Sequence, residues 1–314
     1  MKNILLLGGT GFVGRQICEQ LVRAGLRVTV ATRRAINARA VQPLPGVTVL
    51  EANVHDEAAL ARLLPGHDAV INLIAVLHGN QQRFEHAHVE LPRKLTRAMQ
   101  SAGIKRLVHV SALGASAAGP SLYQRSKAAG EAVLREAGLE LTLLRPSVIF
   151  GAGDSFLTLF ARLQAVVPVM LLPGAAARLQ PVWVGDVARA VVHCLQEPTT
   201  IGQTYELAGP RAYQLRELVQ IAGRLSGHPR PVIGMPRAFG YLQALLLQSL
   251  PGEPLMSTDN FASLKVDNVA SGTLPGLAEL GISAEALEPV VASYLELQGR
   301  ADPLLAMRQR YTRG

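Results

Sequence analysis

The first fourteen residues constrain this chain more than any other stretch. The apolar run Ile4-Leu5-Leu6-Leu7 enters Gly8-Gly9-Thr10-Gly11-Phe12-Val13-Gly14, and a helical pattern leaves it. A strand that feeds a glycine-rich turn and then a helix start sets free N–H groups and the positive end of a helix dipole against a phosphate. Each glycine has its own expected task. Gly8 permits the tight turn, Gly11 lets the backbone approach a pyrophosphate, and Gly14 lets the helix pack near the strand. The spacing is G-x-x-G-x-x-G rather than G-x-G-x-x-G, which points to one branch of the dinucleotide-binding folds. Gly8, Thr10, Gly11, Phe12, Val13 and Gly14 are the first candidate cofactor-binding residues.

The rhythm that follows agrees with this start. Strands are expected at 4–7, 27–31, 47–51, 69–73, 106–110 and 141–144. Helices are expected at 13–24, 57–64, 91–102 and 123–136. Short, fully apolar strands between helices mean a parallel sheet covered on both faces. Right-handed crossovers then give strand order 3-2-1-4-5-6. After Gly151 the pattern changes to mixed helices, short strands and proline-rich turns such as 229–231 and 251–254. The expected class is α/β, a Rossmann-type doubly wound parallel sheet with a smaller C-terminal cap lobe. Residues 1–150 form the nucleotide domain, 180–196 return to it, and 151–314 are mainly the cap.

Composition narrows the partners. The chain has 314 residues, 49% hydrophobic and only 17% charged, which fits a folded globular protein. Its net charge of +8 comes from scattered, mostly arginine residues, with no basic run interleaved with aromatics. Nucleic-acid binding is not expected. The positive field suits a phosphorylated cofactor or an anionic membrane surface. Cys18 and Cys194 belong to no Cys/His cluster and read as reduced, packed thiols of a cytoplasmic protein. The apolar run at 4–7 meets glycine too soon for a signal peptide. Neither 156–172, which contains Arg162 and Pro168, nor 239–250 reads as a membrane span. The cluster Leu245-Leu246-Leu247 can pack in the core, line a cavity or touch a membrane surface.

Further site residues follow from topology. The second strand ends in Thr32-Arg33-Arg34, where a free ribose 2′-hydroxyl usually meets an acidic residue. Arginines pair instead with a 2′-phosphate, so NADP(H) is expected over NAD(H). After the third strand, Asn53 is placed to bond the adenine edge and Val54 to pack on its face. After the fourth, Ile74 and Ala75 lie in the loop over the cofactor.

Tyr123 and Lys127 stand four apart, on one face of a helix just after the fifth strand. An ammonium near a phenol favours the phenolate, and an oxidised nicotinamide adds to that effect, so the pair can serve proton transfer. His86 and His88 have no obvious third ligand and His109 lies on a strand, so no metal site is expected. Turn or helix-cap roles suit Asp154 and Asp186. There is no G-x-S-x-G, and hydrolase chemistry is set aside.

Together these residues resemble the short-chain dehydrogenase/reductase superfamily in its extended or atypical branch. The glycine turn, the Tyr123/Lys127 pair, 144–151 (LRPSVIFG) and 181–188 (PVWVGDVA) carry the resemblance. It brings Pro146 and Val148 into the expected cofactor set. A closer likeness, through 111–115, 172–174 and 259–269, is to the dehydrogenase-like accessory subunits of respiratory complex I and their bacterial relatives. That resemblance implies a tightly held NADPH without established turnover, and relatives associated with quinone biosynthesis.

The pattern has one departure. Active members carry a Ser or Thr beside the tyrosine. Here Ser111 ends the strand, the position two later is Leu113, and Ser116 lies further along the loop. Pairing a carbonyl with only one donor weakens the electrophilic assistance that hydride transfer needs.

Three functions are carried forward. The first is a nucleotide-binding protein with a structural or assembly role, linked to a respiratory or quinone-synthesis complex and peripheral at the inner membrane face. The second is an active NADP-dependent oxidoreductase on an apolar, quinone-like carbonyl or alcohol, using Tyr123, Lys127 and Ser111 or Ser116. The third is a nucleotide-sugar epimerase or dehydratase.

Overall fold

The computed structural model describes residues 1–236, 239–241, 243, 245 and 257–299. Seven of the described strands form one parallel sheet: β1 (Asn3–Leu7), β2 (Arg27–Thr32), β3 (Val47–Glu51), β4 (Ala69–Asn72), β5 (Arg106–Val110), β6 (Glu140–Pro146) and β11 (Thr204–Leu207). Their spatial order is β3-β2-β1-β4-β5-β6-β11. The first six follow the expected doubly wound order. The seventh, Thr-Tyr-Glu-Leu, is too short and too polar to stand out in the sequence, and it extends the sheet beyond β6 in parallel register.

The strand pleat divides the core in two. Ile4 and Leu6 of β1 point into a cluster with Ile17 and Leu21 of α1 (Phe12–Arg23) and Val187, Val191 and Cys194 of α7 (Val184–Gln196). Leu5 and Leu7 point the other way, among Leu60 of α2 (Glu57–Leu63), Leu95 and Met99 of α4 (Leu91–Ser101) and Leu134 of α5 (Leu122–Arg135). All four β1 side chains are fully buried, at about 1.5–3 kcal/mol each for removal from water. A slip of one residue would exchange the two sets, and both faces are packed, so the register is specified. Cys18 and Cys194 lie inside this core, where burial pushes both thiols up to about 12.

The helix expected at 91–102 has a longer approach. It is preceded by α3 (Gln81–Glu85) and by a π-helical segment, His86–Glu90. This polar, histidine-rich stretch lacks an apolar period that would announce a helix.

Beyond β7 (Ile149–Phe150), a third apolar cluster gathers α6 (Leu157–Val166), α8 (Leu215–Leu225) and α10 (Leu287–Gly299). Four short strands are β8 (Met170–Pro173), β9 (Arg178–Leu179), β12 (Tyr213–Gln214) and β13 (Val232–Met235). They pair as β8 with β13 and β9 with β12, while β10 (Val182–Trp183) pairs with β7. The following α7 packs on α1. Among the described residues no helix is long and apolar enough to cross a membrane. The stretch 156–172 is divided between α6 and β8. Of the leucine cluster at 245–247, the second and third residues lie outside the described residues, as does the turn 251–254.

Candidate nucleotide site

The glycine turn has the geometry of a close backbone crossing. Gly8 has φ of +88°, and the Gly11 N–H donates to its carbonyl at 3.2 Å. A Cβ on Gly14 would stand 2.3 Å from the Gly8 oxygen and 2.6 Å from Gly9 Cα, so only hydrogen fits there. At Gly11, which caps α1 without a side-chain hydrogen bond, a Cβ would have only the Gly8 oxygen near it, at 3.4 Å. That open, uncapped helix start is a cradle suited to a pyrophosphate.

Arg33 and Arg34 are exposed beyond the end of β2. The neighbouring Glu51 carboxylate accepts from the Ala35 N–H at 3.1 Å, which fixes the turn that presents them. Asn53 is exposed, its side-chain oxygen accepting from the His55 N–H, and Val54 is buried. The His55 ring stacks on His86 with centroids 4.2 Å apart. Burial first, then the nearby His86, Lys94 and Arg33 charges, lower His55 to about 4. After β4, buried Asn72 accepts from the Ile74 N–H at 3.1 Å and donates to His109 Nδ1 at 3.2 Å, shaping the loop that carries Ile74 and Ala75. Pro146 ends β6, and the Val148 carbonyl accepts from the Val182 N–H.

Tyr123 and Lys127 lie on α5, which starts with a capping box between Ser121 and Gln124. Lys127 is fully buried and its ammonium donates to the Val110 carbonyl at 3.0 Å. Burial lowers it to about 8, partly opposed by Glu131. Burial raises the Tyr123 phenol to about 12. The expected cationic activation of the phenol is therefore not established by the protein alone. His88 and Phe84 contact the Tyr123 ring edge-on, at centroid distances of 5.6 and 6.2 Å. Burial, then Lys127, holds His88 down to about 3, and His109 is likewise held well below the usual range.

The hydroxyls divide differently. Ser111 is buried beside Glu131, outside normal hydrogen-bond geometry. Glu131 itself is engaged by Arg145 and Arg135. Leu113 is buried, and its N–H donates to the Pro146 carbonyl. Ser116 is exposed and accepts from the Ala118 N–H, closing its own turn.

A strap from the C-terminal part completes the site. Asp259, on α9 (Thr258–Ser263), accepts from the N–H groups of Leu122 at 2.6 Å and Tyr123 at 3.1 Å. It thereby caps α5 from 136 residues away in sequence. Asn268 donates to the Leu113 carbonyl and accepts from the Ser147 hydroxyl. Sequence reading flagged 259–269 only by resemblance, because these contacts have no local signal. Phe261 of α9 and Lys265, just beyond its end, line a cavity of about 920 Å³ shared with Gly174, Arg216, Met235 and Leu264. Asp154 accepts from three backbone N–H groups and the Tyr294 hydroxyl, and Asp186 pairs with Arg189.

The strand-to-helix glycine turn and the Tyr123/Lys127 helix are the two parts of the candidate nucleotide site, and comparison with known proteins shows the family. A profile of the NAD dependent epimerase/dehydratase family matches residues 4–208. The chain belongs to that family. Within it, the mouse mitochondrial NADH dehydrogenase [ubiquinone] 1 alpha subcomplex subunit 9 is 32% identical over 294 residues, covering 90% of this chain and 77% of the mouse protein. The NADH-ubiquinone oxidoreductase 40 kDa subunit of Neurospora crassa is 27% identical, covering 93% and 78%. Among solved structures, an NADPH-dependent quinone oxidoreductase of Escherichia coli complexed with NADPH superposes with a TM-score of 0.76 at 23% identity, covering 92% of this chain and 99% of that one. UDP-glucose 4-epimerase of Thermus thermophilus, in complex with NAD, gives 0.71 at 20%, covering 96% and 99%. These likenesses establish the family and its fold.

Proposed function

We propose that this chain holds NADP(H) as a lasting part of its structure and works beside a respiratory or quinone-synthesis complex, peripheral to the cytoplasmic face of the inner membrane. The carrying observation is the hydroxyl deficit around Tyr123. Leu113 is buried, Ser116 closes its own turn, and Ser111 lies beside Glu131. The matched mouse and Neurospora proteins are subunits of NADH dehydrogenase complexes by name, and a net charge of +8 suits an anionic surface.

In this reading residues 1–150 with 180–196 form the nucleotide domain and 151–314 mainly the cap. The N–H groups of Phe12 and Val13 take the pyrophosphate where it passes close to Gly11, and Arg33 and Arg34 take the 2′-phosphate. Asn53 and Val54 hold the adenine, while Ile74, Ala75, Pro146 and Val148 flank the rest. Tyr123 and Lys127 hold the nicotinamide ribose. The bound nicotinamide would supply hydride chemistry.

Two measurements test the reading. Bound NADPH is expected to exchange with free nucleotide over hours, and the protein is expected in the membrane fraction at low salt. Exchange within seconds, with all protein in the supernatant, would refute it.

A second reading has its own support. Lys127, buried on the Tyr123 face of α5 and lowered to about 8, fits an active NADP-dependent oxidoreductase for an apolar, quinone-like carbonyl. Tyr123 would relay the proton, with Ser111 assisting. A nucleotide-sugar epimerase or dehydratase comes third. The critical variant is Tyr123→Phe, which must abolish turnover of any substrate found. Unchanged turnover in that variant removes the second reading.

A further inference from the structure

His88 stands at the centre of a hydrogen-bond chain with a determined direction. The Val76 N–H, in the stretch that follows β4, donates to His88 Nε2 at 3.0 Å. Nε2 is thus an acceptor, and a neutral imidazole then carries its proton on Nδ1. Nδ1 contacts the Ser126 hydroxyl at 2.8 Å and donates to it. Ser126 in turn donates to the Tyr123 carbonyl at 2.9 Å. No link can be reversed without opposing two donors or two acceptors. The π-helical segment His86–Glu90 sets the ring in this place. Gly130 of α5 locks it there, since a Cβ on Gly130 would stand 2.0 Å from the His88 carbonyl oxygen. The imidazole also meets Phe84 and the edge of Tyr123, and Lys127 is the charged group facing it.

We infer that His88 is a positioning residue, the neutral pin through which the loop after β4 sets the placement of Tyr123. The pin rests on the reading that the loop and Tyr123 both face the nucleotide. Because Nε2 must accept, an imidazolium is incompatible with the chain, and the nearby Lys127 charge opposes it as well. Movement of the Ile74–Val76 stretch on nucleotide binding then reaches Tyr123 through three hydrogen bonds rather than through diffuse packing.

The test compares His88→Leu, His88→Gln and Ser126→Ala, using NADPH titration and, without nucleotide, the phenolate absorbance of Tyr123 by difference against Tyr123→Phe. Glutamine keeps one donor and one acceptor, whereas leucine keeps neither. His88→Leu and Ser126→Ala are expected to weaken NADPH about tenfold, the worth of a broken hydrogen bond, and His88→Gln by less than about threefold. His88→Leu is expected to move the Tyr123 phenolate transition and His88→Gln to leave it in place. Ser126→Ala removes one oxygen and keeps the test open if the leucine variant fails to fold. Equal losses in the leucine and glutamine variants would reduce His88 to packing and overturn the inference, as would wild-type behaviour in all three. Should the wild-type protein not bind NADPH, the nucleotide reading fails, and the phenolate transition alone decides on His88.

Discussion

Replacing Gly14 by alanine tests the nucleotide turn where it is least able to yield. The added Cβ would stand 2.3 Å from the Gly8 oxygen and 2.6 Å from Gly9 Cα, whereas ordinary contact begins near 3.4 Å. Helix α1 must therefore retreat from the turn by about 1 Å. Both obstacles are main-chain atoms, so no rotamer change relieves them. Overpacking of this kind costs about 1–3 kcal/mol. Alanine returns up to about 1 kcal/mol of helix propensity. With that return the net loss is about 0–2 kcal/mol, or a fall in Tm of up to roughly 8 °C for a chain of this size. The displaced N–H groups also lose charge-assisted bonds to phosphate, worth about 1.5–3 kcal/mol each, so NADPH binding should weaken at least about tenfold. Thermal unfolding with and without NADPH, together with a fluorescence titration, reads both effects. Gly25→Ala is the control, with φ of +75° but nothing within 4 Å, so it is strained without crowding the turn. If Gly14→Ala matches wild type in both stability and affinity, the turn is not locked as described.

Other perturbations address separate parts of the account. Arg33→Glu should weaken NADPH by about tenfold or more while leaving NADH nearly unchanged, because only the 2′-phosphate loses a charged partner; parallel titrations check this. Asp259→Ala uncaps α5 and should cost about 1–2 kcal/mol in chemical denaturation; no loss would mean that the strap does not hold the Tyr123 helix. The buried histidines predict acid lability. His55 is lowered to about 4 and His88 to about 3, both from an unfolded value near 6.5, so the unfolded chain takes up protons first as pH falls. Stability is therefore lost between about pH 6.5 and the folded values, by up to about 1.4 kcal/mol per pH unit for each histidine. His88→Gln should show a shallower decline than wild type over that window, measured by urea midpoints.

What was legible in the sequence was whatever repeats with a short period. The strand at 4–7 is fully apolar, the other strands are short and alternate with helices, and the glycine turn follows a strand, so the sheet order and the candidate nucleotide turn could be read directly. The stretch 81–90 could not, because its helix is polar and its π segment is held by His88 contacts to α5 and Val76. Asp259 was equally hidden, since its partners are the N–H groups of a helix over a hundred residues earlier. β11 escaped because its place depends on pairing with β6, not on its own composition. The sequence pairs the Tyr123 phenol with a lysine but does not show how deeply both are buried: in the folded protein burial raises the phenol, and the Lys127 ammonium donates to the Val110 carbonyl.

The central claim is a nucleotide held as part of the structure. Its most direct test is to denature freshly purified, dialysed protein and identify what it releases. One equivalent of NADPH per chain is the predicted result. A nucleotide-free protein that binds and releases NADPH within seconds would contradict the claim and would favour an exchangeable cosubstrate.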